Sequence, residues 1–229
     1  MENFTVSQLQ EQQFFSGLSE KRIQMMLDTG RIQTYRKKEP VFSDREHAYF
    51  VRILLSGQVS VYNLTRHGNR KIIFFLGKGH LLNHDIRKTA FTALCCEAVT
   101  EVRVLEISRA DFLKFMEEDF SLTCAVLEEY ERYLWRLTHQ LKNTAGSMLT
   151  ERKIAAKLWK LGRDFGSPCK DGIMISLPFT ISLMADFAGI PRENASRACK
   201  RLAARGLLIY RNRRFILPNP DGLAEFYKM

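Results

Sequence analysis

The segment from Ile181 to Leu202, which reads ISLMADFAGIPRENASRACKRL, is the most informative part of the sequence about the fold. Ala185 is small enough to let a second helix cross the first closely. Gly189 follows four residues later, where a tight turn requires a left-handed backbone. Pro191 sets φ for the start of the second helix. This spacing predicts a helix-turn-helix.

The second helix and the segment after it supply polar and basic side chains to one surface. Arginine can bind guanine, glutamate accepts from cytosine, and lysine and arginine reach phosphates. Two short apolar runs, 207–210 and 215–217, flank an arginine-rich turn at 211–214 and predict a hairpin, or wing. The pattern predicts a winged helix-turn-helix that binds double-stranded DNA through Thr180, Arg192, Glu193, Asn194, Ser196, Arg197, Lys200, Arg201, Arg211, Arg213 and Arg214.

The distribution of charge agrees with a polyanionic partner for this end of the chain. The 229 residues carry a formal net charge of +10. Residues 150–229 hold 15 lysines and arginines against 7 aspartates and glutamates, whereas residues 1–149 hold 20 against 18. The final third is therefore the part that we expect to contact nucleic acid, although a basic face can also be merely solvated.

The region from Arg31 to Ile107 is typical of a small antiparallel barrel or sandwich. Its turns contain Ser56-Gly57 and Gly77-Lys78-Gly79. The two adjacent cysteines, Cys95 and Cys96, are expected to point to opposite faces of a strand, one inward and one outward. An amphipathic helix is predicted before the strands, at 19–29. The predicted strands are Val41–Phe42, Tyr49–Leu55, Val59–Leu64, Lys71–Leu76 and Val102–Ile107.

A long helix with an apolar seam is predicted after Phe120. Apolar residues recur there at alternating spacings of 3 and 4 over four heptads, which favours a parallel coiled coil between two copies of the chain. Alternatively, the seam packs on the strand domain of its own chain. The predicted dimerisation residues are Leu127, Tyr130, Leu134, Leu137 and Leu141.

Several classes of function are excluded or disfavoured by what the sequence lacks. It contains no phosphate-binding loop, dinucleotide fingerprint, zincin motif or nucleophile elbow, so we do not expect an enzyme. Five cysteines without a Cys-x-x-Cys pair disfavour a disulfide framework and a zinc finger, and we expect no bound metal. The absence of a long apolar run and of a secretory pattern predicts a cytoplasmic protein without membrane contact.

These features together resemble the Crp–Fnr family, which includes the cAMP receptor protein. The most specific match is the segment from Pro191 to Arg197, which is similar to the family's Arg-Glu-Thr-x-x-Arg recognition helix. The resemblance implies that Arg192, Glu193 and Arg197 read bases, with Asn194 in place of the usual threonine. It also implies an α+β chain with a β-roll (1–118), a dimerisation helix and hinge (119–149) and a winged helix-turn-helix (150–229). The implied partners are a second copy, a pseudo-palindromic DNA site and RNA polymerase.

The chain departs from the nucleotide-binding members at two places. Leu82-Asn83-His84-Asp85 stands where they carry Gly-Glu-Leu, and Phe91-Thr92-Ala93-Leu94 stands where they carry an arginine pair. Because a buried phosphate needs such donors, we expect an effector other than cAMP. An Fnr-type iron–sulfur cluster is disfavoured because no cysteine precedes Cys95.

The identity of the effector stays open at this point. The candidates are haem sensing a gas, a small anionic or aromatic molecule, thiol redox chemistry, or no ligand at all. The candidate pocket residues are His80, Asn83, His84, Arg87, Lys88, Cys95 and Cys96, to which the long helix could add Tyr130, Tyr133 or Trp135. Effector binding would re-aim the recognition helices through a hinge at 143–150. The rival interpretation is a coiled-coil interaction module with a degenerate sensor domain and no specific DNA reading.

Overall fold

A computed structural model of the chain describes residues 4–66, 68–86, 91–144 and 149–228, without the side chains of 141–144. Its contacts divide the chain into two compact units, one of residues 1–63 with 74–138 and one of residues 64–73 with 139–229. The long helix therefore belongs to the first unit as far as residue 138. The predicted sites at Arg87 and Lys88, the hinge residues 145–148 and the side chain of Leu141 lie outside the described residues.

The first unit contains two four-stranded sheets with flanking helices, except that residues 64 and 70–73 of the strands and 139–144 of the long helix fall in the second unit. The strands are β1 (Arg31–Tyr35), β2 (Pro40–Phe42), β3 (Phe50–Ser56), β4 (Val59–Leu64), β5 (Arg70–Leu76), β6 (His80–Leu81), β7 (Cys95–Ala98) and β8 (Val102–Ser108). They form sheets of order β1-β8-β3-β6 and β2-β7-β4-β5, with antiparallel pairing in the described ladders. The helices are α1 (Val6–Gln10), α2 (Glu20–Thr29), α3 (Arg109–Glu118) and α4 (Phe120–Thr144). The predicted small antiparallel sandwich is confirmed.

Local sequence explains the helix starts in this unit. The Ser19 hydroxyl accepts from the Arg22 amide at the start of α2, and Ser108 accepts from the Asp111 amide at the start of α3. Both caps satisfy an amide that would otherwise lack a partner. The apolar faces of α2 and α3 then pack, with Ile23 and Phe112 fully buried, on the outer side of the sheet that contains β8.

The two sheets enclose a charged pair rather than a purely apolar interior. The cross-strand register places Glu106 of β8 between Arg31 of β1 and Arg52 of β3. Arg52 Nε donates to Glu106 at 2.9 Å, and Glu106 also accepts from Arg31 and from the Tyr35 hydroxyl. Burial opposes the charge of Glu106, but these bonds outweigh it and hold the pKa of its carboxyl below the ordinary value. This network ties three strands together.

The second unit is a small α+β domain. It consists of α5 (Thr150–Phe165), β9 (Gly166–Cys169), β10 (Gly172–Ile175), α6 (Ile181–Ala188), α7 (Arg192–Ala204), β11 (Ile209–Arg211), β12 (Arg214–Leu217) and α8 (Pro220–Lys228). The sheet order is β11-β12-β10-β9. Leu149 occupies the N-cap of α5 and provides no side-chain bond, and Thr150 is the first helical residue. On the outer part of α5, Trp159 packs near Tyr227 and Arg163.

Candidate nucleic-acid interface

The helix-turn-helix has the geometry that its sequence predicts. The Thr180 hydroxyl caps α6 by accepting from the Leu183 amide at 3.2 Å. Gly189 ends α6 at φ +66°, the left-handed conformation that favours glycine. Pro191 is the N-cap of α7, with φ −56°, and the helix itself begins at Arg192.

α7 divides cleanly into a buried and an exposed face. Ala195, Ala198, Cys199 and Leu202 are buried. At 100° per residue, Glu193, Arg197 and Lys200 lie at the centre of the opposite face, and all three are exposed. An exposed helix face of this chemistry can enter a major groove and form hydrogen bonds with base edges.

The polar residues beside this central line differ in their hydrogen bonds and in their exposure. The Arg197 guanidinium donates to Asn194 Oδ1 at 2.5 Å, so Asn194, itself a predicted DNA-binding residue, orients the predicted base-reading residue Arg197. Ser196 is half-buried, and Arg192 is exposed at the first turn. Asn194 therefore supports Arg197 rather than standing apart from it.

Arg201 has a partner in its own domain. Its Nη1 lies 2.6 Å from Glu151 Oε1, on the first turn of α5. Sequence analysis missed Glu151 because no local pattern links residues that are 50 positions apart. The predicted DNA contact at Arg201 therefore competes with an intramolecular ion pair.

The wing is a tight hairpin. Arg211 pairs with Arg214 across it, and Asn212 and Arg213 both have positive φ, +53° and +58°. This two-residue turn follows the twist of the flanking strands. Arg211 donates to Asp171 at 3.1 Å, whereas Arg213 forms no ion pair with any described residue. The arginine at the very tip is thus the most available of the three.

Two of the predicted pocket residues, His80 and His84, lie near α4. His80 Nδ1 lies 3.2 Å from Glu129 Oε2, and Arg132 donates to the other oxygen of Glu129. Glu129 is almost fully buried; these two bonds outweigh the effect of burial and keep the pKa of its carboxyl below the ordinary value. Glu129 therefore joins α4 to β6 through His80.

His84 is held between two tyrosines of the same helix. Its ring centroid lies 4.2 Å from that of Tyr133 and 5.2 Å from that of Tyr130, whose hydroxyl donates to the His84 carbonyl. Burial lowers the pKa of the His84 imidazole to about 4, so the ring is neutral at physiological pH. Tyr130, predicted in the dimer seam, therefore contacts its own β-roll.

The remaining predicted pocket residues serve the fold of the first unit. Asn83 is buried, accepts from the Arg52 amide and donates to the Phe50 carbonyl. Cys95 and Cys96 are both buried, so the expectation that one faces outward is wrong. The two side chains still point to opposite faces of the strand, so the expectation fails on exposure and not on alternation. Burial raises the pKa of the Cys96 thiol, and the Cys95 sulfur accepts from the Asp44 amide.

The cavity lined by His80, His84 and Tyr133 is small. It has about 10 Å³ of free volume, which is the space of roughly one water molecule. Its histidines are engaged as described, and both cysteines lie inside the sheets. Haem does not fit this arrangement. Within the described ranges, no cluster of three or more His, Cys, Asp or Glu side chains could hold a metal ion.

α4 presents a second apolar face that its own unit does not cover. Leu122, Ala125 and Val126 are buried against the β-roll, whereas Leu127 and Leu134 are 51% and 61% exposed. Phe120 is also exposed, and the three exposed residues repeat every seven positions. Leu137 is half-buried, and Trp135 is exposed beside Leu134. The helix thus has two apolar faces instead of the single predicted seam.

Comparison with known proteins matches both units. Residues 32–119 match the cyclic nucleotide-binding domain, and residues 152–226 match the Crp-like helix-turn-helix domain. The chain is 29% identical to the transcriptional activatory protein AadR of Rhodopseudomonas palustris, over 76% of this chain and 72% of AadR. It is 24% identical to the nitrogen fixation regulation protein FixK of Azorhizobium caulinodans, over 87% and 79% of the two chains.

Solved structures agree on the fold. The structure of FixK2 from Bradyrhizobium japonicum superposes with a TM-score of 0.73 at 23% identity, covering 86% of this chain and 96% of that one. The curated relatives are transcriptional regulators, which confirms the expectation of a regulator rather than an enzyme. No helix in the described part of the chain is long and apolar enough to span a bilayer.

Proposed function

The chain belongs to the Crp–Fnr family of transcriptional regulators, and we propose that it acts as a homodimer that reads a pseudo-palindromic operator with α7 of each protomer. The observation that carries this proposal is the exposed line of Glu193, Arg197 and Lys200 on α7. Arg192, Glu193 and Arg197 would contact base edges, and Lys200 and the wing residue Arg213 would contact phosphates.

The experiment that tests DNA reading starts from a random duplex library. The purified protein should enrich one sequence with two half-sites about 34 Å apart, one helical turn. If a dimer contacts about ten phosphates, log K should fall with log salt at a slope near −9. A scrambled duplex of equal length is the control. A slope near zero, or equal affinity for both duplexes, would refute the proposal.

The homodimer is supported by the exposed heptad face of α4. Phe120, Leu127 and Leu134 leave an apolar stripe that a second copy would cover in a parallel coiled coil. Changing Leu134→Glu places a carboxylate in that interface, so the protein should sediment as a monomer at micromolar concentration. Ser121→Glu introduces the same group on an exposed part of α4 away from the stripe and should remain dimeric. A dimeric Leu134→Glu variant would contradict this interface.

We also propose that the β-roll responds to an effector other than cAMP. Asn83 and Thr92 lie in the two segments, 82–85 and 91–94, that by the resemblance stand where nucleotide-binding members carry their ligand residues. Here the Asn83 amide is bound to β3, and the Thr92 hydroxyl donates to the Ser43 carbonyl. Neither is available to a ribose phosphate. A regulator of this kind would act in the cytoplasm together with RNA polymerase. Equilibrium dialysis against cAMP is the direct check of the effector proposal.

A further inference from the structure

Arg201 differs from the other basic residues of the recognition helix in position. Relative to the centre of the exposed face of α7, Arg201 is rotated by about 70° toward the flank that packs on α5. Arg197 and Lys200 lie near that centre. Arg201 is nevertheless 64% exposed, so its guanidinium remains within reach of a DNA backbone that lies along the helix.

The position of the Glu151 carboxylate favours its ion pair with Arg201. Glu151 is only 17% exposed and stands on the first turn of α5, where the helix dipole favours a negative charge. Arg201 stands on the last turn of α7, where the dipole favours a positive charge. The Nη1–Oε1 distance of 2.6 Å is that of a charge-assisted hydrogen bond.

An ion pair of this kind opposes phosphate binding by the same arginine. A phosphate that takes Arg201 must first break the pair and leave a largely buried carboxylate without its partner, which is unfavourable. The Glu151 charge would also repel the phosphate. Bases are not read by this contact, because neither residue lies on the central line of Glu193, Arg197 and Lys200.

We propose that Glu151 limits sequence-independent DNA binding by withholding Arg201 from the phosphate backbone. This inference rests on the proposed DNA-binding function. Phosphate contacts supply nearly all of non-specific affinity, so an internal carboxylate that removes one contact per protomer raises the share of affinity that comes from base reading. Glu151 is in this sense a specificity-determining residue that does not touch DNA.

The test compares Glu151→Gln with Glu225→Gln. Both changes remove one negative charge from the second unit, but Glu225 is exposed on α8 and pairs with no described residue. Binding of a random-sequence duplex and of the selected operator is titrated from 0.05 to about 0.3 M salt, within the range in which phosphate contacts dominate. The melting temperature of each variant is measured alongside the titrations, to show that the variant is folded.

The expected result is a steeper salt dependence for Glu151→Gln alone. Its slope on random duplex should become more negative by about 0.9 for each Arg201 that gains a phosphate, or about 1.8 for a dimer. The affinity for the operator should rise by no more than that for random duplex, because the base contacts are unchanged. Adding Arg201→Gln should return the slope to the wild-type value.

Arg201→Gln in the wild-type background gives an independent arm, including in the case that Glu151→Gln does not melt cooperatively. Its slope should equal the wild-type slope, because a withheld arginine contributes no phosphate contact. A slope reduced by about 1 per protomer would overturn the inference. Equal slopes for Glu151→Gln and Glu225→Gln would overturn it as well. A wild-type protein without salt-dependent binding would overturn the proposed function and this inference together.

Discussion

The two units use arginine in opposite ways. In the first unit, Arg52 is buried between two sheets and is bound to Glu106 and Glu46. In the second, Arg197 is exposed and its described side-chain partner is the neutral Asn194. A buried arginine paired with carboxylates fixes the strands that carry it, whereas an exposed one adds little to folding and keeps its charge for a partner. Charge therefore serves architecture in one unit and, under the proposed function, recognition in the other.

The contrast between the two units would fail if the buried Arg52–Glu106 pair did not contribute to the stability of the first unit. Glu106→Leu removes the main partner of Arg52 and leaves a buried guanidinium undercompensated, so the free energy of unfolding should fall by about 3–5 kcal/mol. The double variant Arg52→Met/Glu106→Leu should regain most of that loss. Urea unfolding of the full chain measures both. Similar stability of the single variant and the wild type would mean that the pair has no structural role.

A smaller effect is expected from the neutral histidine in the same unit. The pKa of His84 is about 4 in the folded protein, against 6.5 ordinarily, because of burial. The unfolded chain therefore binds more protons between these values, and stability should decrease as pH falls from 6.5 to 4, by up to about 3 kcal/mol.

His84→Phe should remove that part of the pH dependence, measured as the change of melting temperature with pH. His84→Gln also removes the imidazole and should lose the same part of the profile. Identical profiles for the wild type and His84→Phe would show that His84 does not carry this linkage.

The smallest effect concerns the exposed arginine and binding rather than folding. Arg197→Ala should weaken operator binding by about 1–3 kcal/mol and random-duplex binding by less, with an unchanged melting temperature. Titration of both duplexes at one salt concentration measures the difference. An equal loss on both would mean that Arg197 contacts only phosphate, which would remove the contrast in recognition.

The elements that sequence predicts well are those governed by neighbouring residues. Gly189 at its left-handed turn and the arginine wing each depend on a few adjacent positions, and the structure has both. The strand domain was recognised because turns and β-branched runs alternate locally. Its predicted strand ends agree with the observed ones to within about one residue, the usual uncertainty of such ends.

The elements that sequence missed depend on long-range register. Arg52 and Glu106 are 54 positions apart, and Glu151 and Arg201 are 50 apart, so nothing local indicates either pair. The predicted heptad seam of α4 contains residues from two different faces of the helix. One face packs on the β-roll through Leu122 and Val126. The other face, with Leu127 and Leu134, stays exposed. A one-dimensional pattern cannot assign apolar residues between two partners of the same helix.

Each unit contains one of the two tryptophans, so the fluorescence of each unit can be followed separately. The chain has two tryptophans, Trp135 on the exposed side of α4 and Trp159 beside Tyr227 and Arg163 on α5. One native fluorophore thus lies in each unit, and the first adjoins the apolar stripe. Replacing either with phenylalanine leaves a chain whose emission follows a single unit. Assembly and unfolding can then be observed separately without attaching any dye.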